Sequence, residues 1–184
     1  DLDTSRGLGD VYKRQFILSC NYSSKIIEPI QSRCAVFRFR PLADSDVHQQ
    51  VHHVAAIEEI NLDDDAAEAL TRISQGDLRK ALTALQVSAA LSNDVTRELI
   101  YETSATAPPE SLHQYLKACR DDGFHSARRR LRELLDKYGL AGTDFVNQLH
   151  RELYSADFLS EESKLDLTEW MAEVDYRLVE GGGE

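Results

Sequence analysis

Asn21 directly follows an apolar segment, residues 16–20 (FILSC), at a position where a side chain could act on a bound ligand. The segment predicts a central strand buried on both faces of a parallel sheet. Because such sheets bind ligands at the carboxyl ends of their strands, the Asn21 carboxamide could hold a water molecule or a phosphate oxygen. The alternative is that Asn21 ends the strand by capping the next turn, and this alternative is favoured when Asn21 is considered without its surroundings.

Arg33 lies in the triplet Ser32-Arg33-Cys34, between a predicted short helix and a second predicted strand, residues 35–40. A permanently charged guanidinium at such a corner could reach across an interface to an anionic site. In phosphoryl transfer, an arginine from a neighbouring subunit can stabilise charge on the transferred group. The alternative is a solvated arginine at the start of a strand, which the residue in isolation favours.

Arg79 and Lys80 follow Gly76 and Asp77 and fall in the first turn of a predicted helix. Cations are unfavourable there because the free N–H groups and the helix dipole prefer anions. A phosphate bound at this end would remove the conflict, since the amides and Arg79 would both face it. The sequence supports equally the alternative that both cations extend into water while Asp77 offsets their charge.

Two further clusters carry weaker signals for binding. Residues 128–132 (RRRLR) could contact nucleic acid or an acidic partner, but Glu133 and Asp136 follow at helical spacing and favour a solvated helix face. His48 and His52 have the i, i+4 spacing of a metal-binding pair. No HExxH-type motif completes that pair, so we assign no metal ligand from the sequence.

The composition is that of an acidic globular protein. The 184 residues are 42% hydrophobic and 29% charged, with a formal net charge of −11, which argues against binding nucleic acid by bulk electrostatics. The three cysteines have no CxxC spacing, so reduced thiols are expected rather than disulfides or a zinc site. No apolar run approaches the length of a membrane span, and we expect a cytoplasmic, nucleoid-associated protein with no membrane partner.

Beyond residue 43 the hydrophobic periodicity becomes helical. Asp63 and Asp77 are predicted N-caps in the first half, and Thr143 and Ser160 in the second. Glycines 76, 123 and 139 are predicted helix stops. The predicted helices comprise residues 47–59, 66–73, 78–91 and 95–100, and then 109–121, 123–138, 143–155 and 160–179. The segment 105–109, with two prolines, is the clearest linker.

These patterns predict a mainly α protein in four parts. Residues 1–15 are interpreted as a non-native or disordered leader, and residues 16–42 as a two-stranded α/β remnant. Residues 43–105 form a first helical bundle. Residues 106–184 form a second bundle, which we expect to be truncated at its end.

Taken together, Asn21 after a strand, the Ser32-Arg33-Cys34 triplet and the Gly76-Asp77-Leu78-Arg79-Lys80 segment resemble one family. The chain is similar to the archaeal small subunits of replication factor C, which are clamp-loader AAA+ ATPases. The resemblance is strongest in the segment ILSCNYSSKIIEPIQSRC, and the similarity is lower in the C-terminal bundle.

The resemblance implies a role for each candidate residue. Asn21 would be the sensor 1 residue, which positions the water that attacks the γ-phosphate. Arg33 would be the arginine finger, acting in trans on ATP bound by the neighbouring subunit. Arg79 would be the sensor 2 arginine and would contact ATP phosphates in its own subunit. The bundle at 43–105 would be the lid, and the bundle at 106–184 the oligomerisation collar.

The resemblance also implies cofactors and partners. The complete protein would bind ATP and Mg²⁺, assemble with other clamp-loader subunits into a hetero-pentamer with a large subunit, and load a sliding clamp onto primed DNA. The family's phosphate loop and acidic magnesium box would lie before Phe16, since no GxxxxGK[ST] motif occurs in this sequence. The chain by itself is therefore expected to bind no cofactor tightly and to be inactive as an ATPase.

Two other functions remain open at this point. One is a non-catalytic helical assembly module of a AAA+ complex, which would need no nucleotide. The other is a different AAA+ machine, such as a branch-migration helicase with the same lid arginine. The Ser32-Arg33-Cys34 triplet favours the clamp loader over the helicase.

Overall fold

The computed structural model describes residues 16–181. The chain divides into two compact units, and the boundary between them lies between Arg40 and Pro41. The architecture of these residues is mainly helical, as the sequence predicts, with nine α-helices and two short strands. The helices are α1 (Glu28–Gln31), α2 (Asp44–Ile57), α3 (Asp64–Ser74), α4 (Leu78–Leu91), α5 (Arg97–Thr103), α6 (Pro109–Asp121), α7 (Phe124–Tyr138), α8 (Gly142–Leu153) and α9 (Glu161–Glu180). The strands are β1 (Asn61–Leu62) and β2 (Asp94–Val95).

The first unit contains a 3₁₀ turn, Ser23–Lys25, followed by the single-turn helix α1. Pro29 occupies the first turn of α1, where its missing N–H costs no helical hydrogen bond. The side chain of Gln31 ties the turn to the helix, because its Nε2 atom donates to the carbonyl oxygens of Ser23 (2.9 Å) and Ile26 (2.6 Å). The short helix predicted before Arg33 is therefore present.

The two predicted strands at residues 16–20 and 35–40 are not formed in the described part of this unit. Their apolar side chains are exposed, with Phe16 at 82% and Phe39 at 96% of their full accessible area. An apolar run identifies a segment suited to a sheet interior, but a strand forms only when a neighbour accepts its lateral hydrogen bonds. Neither segment pairs with a described strand, so the prediction of two strands here is wrong for this structure.

The first part of the second unit packs α2 to α5 together, with Leu70, Leu85 and Ile100 fully or almost fully buried in a core that continues into the later helices. Asp63 caps α3 as predicted, since its carboxylate accepts from the Ala66 N–H at 2.7 Å. The predicted bounds of α4 are confirmed. The predicted helix at 95–100 instead begins at Arg97, because Val95 pairs in parallel with Leu62.

The second part contains α6 to α9, and their predicted order and approximate bounds are confirmed. Ser160 caps α9, with its hydroxyl accepting from the Ser163 N–H, and Gly139 ends α7 in a left-handed conformation. The predicted cap at Thr143 is wrong. Helix α8 begins at Gly142, one residue earlier, so Thr143 lies inside its first turn. Within the described residues, no helix combines the length and the apolar character needed to cross a membrane.

The predicted linker at 105–109 is held against α8. Gln148 is buried, and its carboxamide accepts from the Ala107 N–H at 2.9 Å and donates to the Ala105 carbonyl at 3.2 Å. Ala107 itself is only 3% exposed. A buried backbone N–H needs a hydrogen-bond partner, and here one glutamine supplies it for a segment without regular structure.

We expect Gln148→Ala to lower the free energy of unfolding by about 1–3 kcal/mol, because it leaves the buried Ala107 N–H without a partner. Asn147→Ala is the matched control, since Asn147 is an exposed carboxamide on the same helix and should change stability by less than about 0.5 kcal/mol. Urea unfolding followed by circular dichroism measures both. Equal stabilities for the two variants would contradict a role of Gln148 in holding the linker.

Candidate functional site

Arg33 lies just beyond the C-terminal end of α1, on a turn closed by its own N–H, which donates to the Ile30 carbonyl at 3.1 Å. Its guanidinium Nη1 donates to the Pro29 carbonyl at 2.9 Å. Ser32 donates through its hydroxyl to the same carbonyl at 3.2 Å. Arg33 thus satisfies a helix-end carbonyl with one of its five N–H groups, and its side chain remains exposed.

Asn21 occupies a bend just before the 3₁₀ turn, within an exposed stretch of the first unit. The backbone after it forms the turn through the Lys25 N–H, which donates to the Tyr22 carbonyl at 3.1 Å. The described residues give the Asn21 side chain neither a buried environment nor a sheet edge. The carboxamide is therefore accessible at the place the sequence predicts, but the strand expected to position it is missing.

Arg79 is the second residue of α4, and the turn before that helix is tightly constrained. Asp77 is the N-cap, and its carboxylate accepts from the Lys80 N–H at 3.2 Å. Gly76 has a φ of +80°, and its carbonyl accepts from the Leu42 N–H at 3.0 Å. The direction of the α4 N-terminus is thus determined by contacts with the chain segment that enters the second unit.

The start of α4 carries two cations and one carboxylate, that of its N-cap Asp77. Its first turn contains no acidic residue, while Arg79 and Lys80 are both exposed there. Among the described residues, Arg79 forms no ion pair. The guanidinium therefore projects from the positive end of α4 beside the Asp77 cap and has no ion-pair partner among the described residues, which makes it suited to pair with an anionic ligand.

A polar cavity of about 540 Å³ lies beside this turn, and Lys80 lines it while Arg79 does not. Two of its charged residues neutralise each other. Arg72 Nη2 lies 2.5 Å from Glu152 Oε1, and His113 Nε2 lies 3.6 Å from the other carboxylate oxygen. The Arg72–Glu152 pair joins α3 to α8 at this cavity, and Arg79 does not line it.

A second ion pair connects the helices on either side of the predicted linker. Arg97 of α5 donates from Nη2 to both carboxylate oxygens of Glu110 of α6, each at 2.8 Å, and lies over the Tyr101 ring. Burial acts to raise the pKa of Glu110, but hydrogen bonds from its own backbone N–H and from Arg97 outweigh it and lower the pKa. Burial raises the pKa of Tyr101. Glu110 is thus held ionised as a bridge between the two helical bundles.

The basic run on α7 behaves as a solvated helix face. Arg128, Arg129 and Arg132 are exposed, and Arg130 Nη2 lies 3.8 Å from an Asp122 carboxylate oxygen. Solvent-exposed pairs at that distance contribute little to stability.

Sequence reasoning missed Gln148, Arg72 and Glu152, which hold the linker and join α3 to α8. Each is a polar residue on an amphipathic helix, a position usually interpreted as solvent-facing. Arg72 and Glu152 are 80 residues apart, and no local pattern links them. These contacts become visible only when the helices are packed together.

Known proteins match both parts of the chain. Residues 107–184 match the family described as replication factor C C-terminal domain. Over 170 residues the chain is 42% identical to the replication factor C small subunit of Methanocella arvoryzae and 45% identical to that of Natronomonas pharaonis. The corresponding protein of Staphylothermus marinus is 43% identical over 171 residues.

These alignments cover 92% of the chain and 52% of each of the three relatives, so the chain spans about half the length of the curated relatives it matches. The helical second unit agrees with the C-terminal domain match. The resemblance found in the Ser32-Arg33-Cys34 and Gly76–Lys80 segments is thereby confirmed at the level of family. The chain is thus similar to replication factor C small subunits over 92% of its length, and its residues 107–184 match the C-terminal domain of replication factor C.

Proposed function

We propose that this chain is part of a clamp-loader subunit which, in the complete protein, uses ATP binding and hydrolysis to load a sliding clamp onto primed DNA. The observation that carries the proposal is the placement of two arginines. Arg33 and Arg79 are both exposed, each lies at the end of a helix, and neither forms an ion pair with another described residue. Arginines in such positions are suited to the charge of nucleotide phosphates.

Each residue has a separate task in this proposal. Arg79 contacts the phosphates of ATP bound by its own subunit, as a sensor 2 arginine. Arg33 acts as an arginine finger on the ATP of the neighbouring subunit. Asn21 orients the attacking water as the sensor 1 residue. ATP with Mg²⁺ is the cofactor of the complete protein, and the other subunits of a hetero-pentamer, the clamp and primed DNA are its partners.

A non-catalytic assembly role is supported by a different observation. Helix α9 exposes large apolar side chains, including Trp170 at 64% and Tyr176 at 66% of their accessible area. Such residues are enriched where proteins bind one another. In the complete clamp loader this face would serve subunit contacts in the collar, so assembly and ATP use are compatible. ATP binding that depends on Arg79 would distinguish the clamp-loader subunit from a purely structural module, because such a module needs no ATP.

We expect Arg79→Ala in the full-length protein to weaken ATP binding by about 10- to 100-fold, the effect of losing one charge-assisted hydrogen bond. Lys80→Ala is the matched control, since Lys80 is the next residue on the same helix but lines the neighbouring cavity. Titration with a fluorescent, non-hydrolysable ATP analogue measures both dissociation constants. A dissociation constant for Arg79→Ala within twofold of wild type would mean that Arg79 is a solvated residue at a helix end and does not contact ATP.

A further inference from the structure

Two histidines of α2 and an aspartate of α3 come together within the helical second unit. His48 and His52 are one helical turn apart, and their ring centroids are 4.8 Å apart with the planes tilted by 60°. Asp64 is the first residue of α3 and lies close to the His52 ring. The six-residue connection between α2 and α3 brings the aspartate to the histidines, so the cluster depends on how the two helices pack.

The donor atoms of these three residues lie close enough together that small side-chain movements would give the spacing of a metal site. One ring nitrogen from each histidine and one carboxylate oxygen of Asp64 all lie within 4.8 Å of one another. In a tetrahedral zinc site with bonds of about 2.0–2.2 Å, ligand atoms are roughly 3.3–3.6 Å apart. The Asp64 side chain is 87% exposed and free to rotate, so it can supply much of the remaining movement.

The His52 ring adds a second observation that points to a ligand. Its Nε2 atom is shielded from solvent, yet it forms no hydrogen bond. The Asp64 Oδ1 atom lies 3.1 Å away, but not in a direction that lets the two atoms form a hydrogen bond. A shielded nitrogen without a partner is costly, and a bound cation between the nitrogen and the carboxylate would satisfy both.

We propose that His48, His52 and Asp64 bind one divalent transition-metal ion, of which Zn²⁺ is the representative. Two imidazoles and a carboxylate are the ligand types that zinc accepts, and three protein ligands leave a fourth position for water. The ion would join α2 to α3 across the turn that connects them. Its effect would be to stabilise the first helical bundle, and it requires neither ATP nor a neighbouring subunit.

The test is zinc titration by calorimetry of the chain purified without a polyhistidine tag. Cys20, Cys34 and Cys119 are exposed thiols, so each is replaced by serine in the parent to remove competing ligands. We expect one ion per chain, and an affinity at least ~10-fold weaker in His48→Gln, His52→Gln and Asp64→Asn. His53→Gln is the matched control, because His53 is exposed on the same helix outside the cluster, and should bind as the parent does.

Thermal unfolding provides a second readout that does not depend on heat of binding. Zinc should raise the Tm of the parent and of His53→Gln, and should leave the Tm of His52→Gln unchanged. Absence of zinc binding by the parent would overturn the proposal. Unchanged affinity in Asp64→Asn, whose exposed side chain can be replaced without loss of packing, would also overturn it.

Discussion

Replacing Arg33 with alanine in the full-length protein is expected to lower clamp- and DNA-stimulated ATP turnover by about 10³-fold or more, while ATP binding stays close to wild type. The guanidinium would stabilise charge that develops on the transferred phosphoryl group, so its loss affects the transition state more than the bound nucleotide. Turnover in the assembled complex and nucleotide affinity of the single subunit are the two measurements. A loss of turnover without a loss of nucleotide affinity is the result expected for a residue that acts on ATP bound by the neighbouring subunit.

The local structure around Arg33 indicates that the substitution to alanine would remove the charge and leave the fold unchanged. Its side chain is exposed, and its described contact is a single hydrogen bond to the Pro29 carbonyl, so alanine removes charge without disturbing a core. Arg38→Ala is the matched control, as an exposed arginine of the same unit outside the triplet. Arg33→Lys should restore little activity, because lysine lacks the planar fork of donors.

Two outcomes would count against the assignment of Arg33. Unchanged stimulated turnover in Arg33→Ala would mean that the residue is a solvated helix-end arginine. A loss of ATP affinity in the isolated subunit would mean that it contacts nucleotide in its own chain, and the action in trans would be wrong. Arg38→Ala should show neither effect.

The largest expected loss of stability follows from Gly76→Ala, at about 2–4 kcal/mol. A Cβ atom at this position would lie 2.7 Å from the Leu42 carbonyl oxygen and 2.7 Å from Pro41 Cβ. The φ of +80° adds strain for any residue with a side chain. Because one of the clashing atoms belongs to the backbone, a rotamer change cannot relieve the contact.

Gly123→Ala separates the two causes of this loss. Gly123 has nearly the same φ, +79°, but a Cβ atom there meets nothing within 4 Å. We expect a cost of about 1 kcal/mol from backbone conformation alone. Urea unfolding of both variants measures the difference, and equal losses would show that the approach of Leu42 to Gly76 is not tight in solution.

The Gly76 result also bears on the proposed nucleotide contact. Gly76 and Asp77 set where α4 begins, and Arg79 is the second residue of that helix. If the turn moves to accommodate alanine, the Arg79 guanidinium moves with it. A weakened ATP affinity in Gly76→Ala would therefore accompany the loss of stability, whereas Gly123→Ala should retain wild-type affinity.

Local signals in the sequence predicted most helix ends of this protein correctly. The caps at Asp63, Asp77 and Ser160 and the stop at Gly139 depend on hydrogen bonds within a few residues, so the residue type alone indicates them. The same holds for the proline-led start of α6. Thr143 failed as a cap because Gly142 also permits a helix start, and the local signal did not distinguish them.

The candidate site residues divide in the same way. Arg33 and Arg79 lie at helix ends, as predicted, because the turn chemistry around each is local. Asn21 was predicted from a strand whose existence depends on hydrogen bonds to another segment. Those lateral partners are not found among the described residues, so the apolar composition of residues 16–20 did not suffice to form a strand.

The sequence by itself thus determined the helices, their caps, the exposed arginines and the resemblance to replication factor C small subunits. Only the tertiary structure decided which polar side chains come together, as with Gln148 at the linker, Arg72 with Glu152, and Asp64 beside His52. The physical reason is the distance along the chain over which each kind of interaction acts. Capping and periodicity act between residues close in the chain, whereas pairing between helices depends on packing that no single segment encodes.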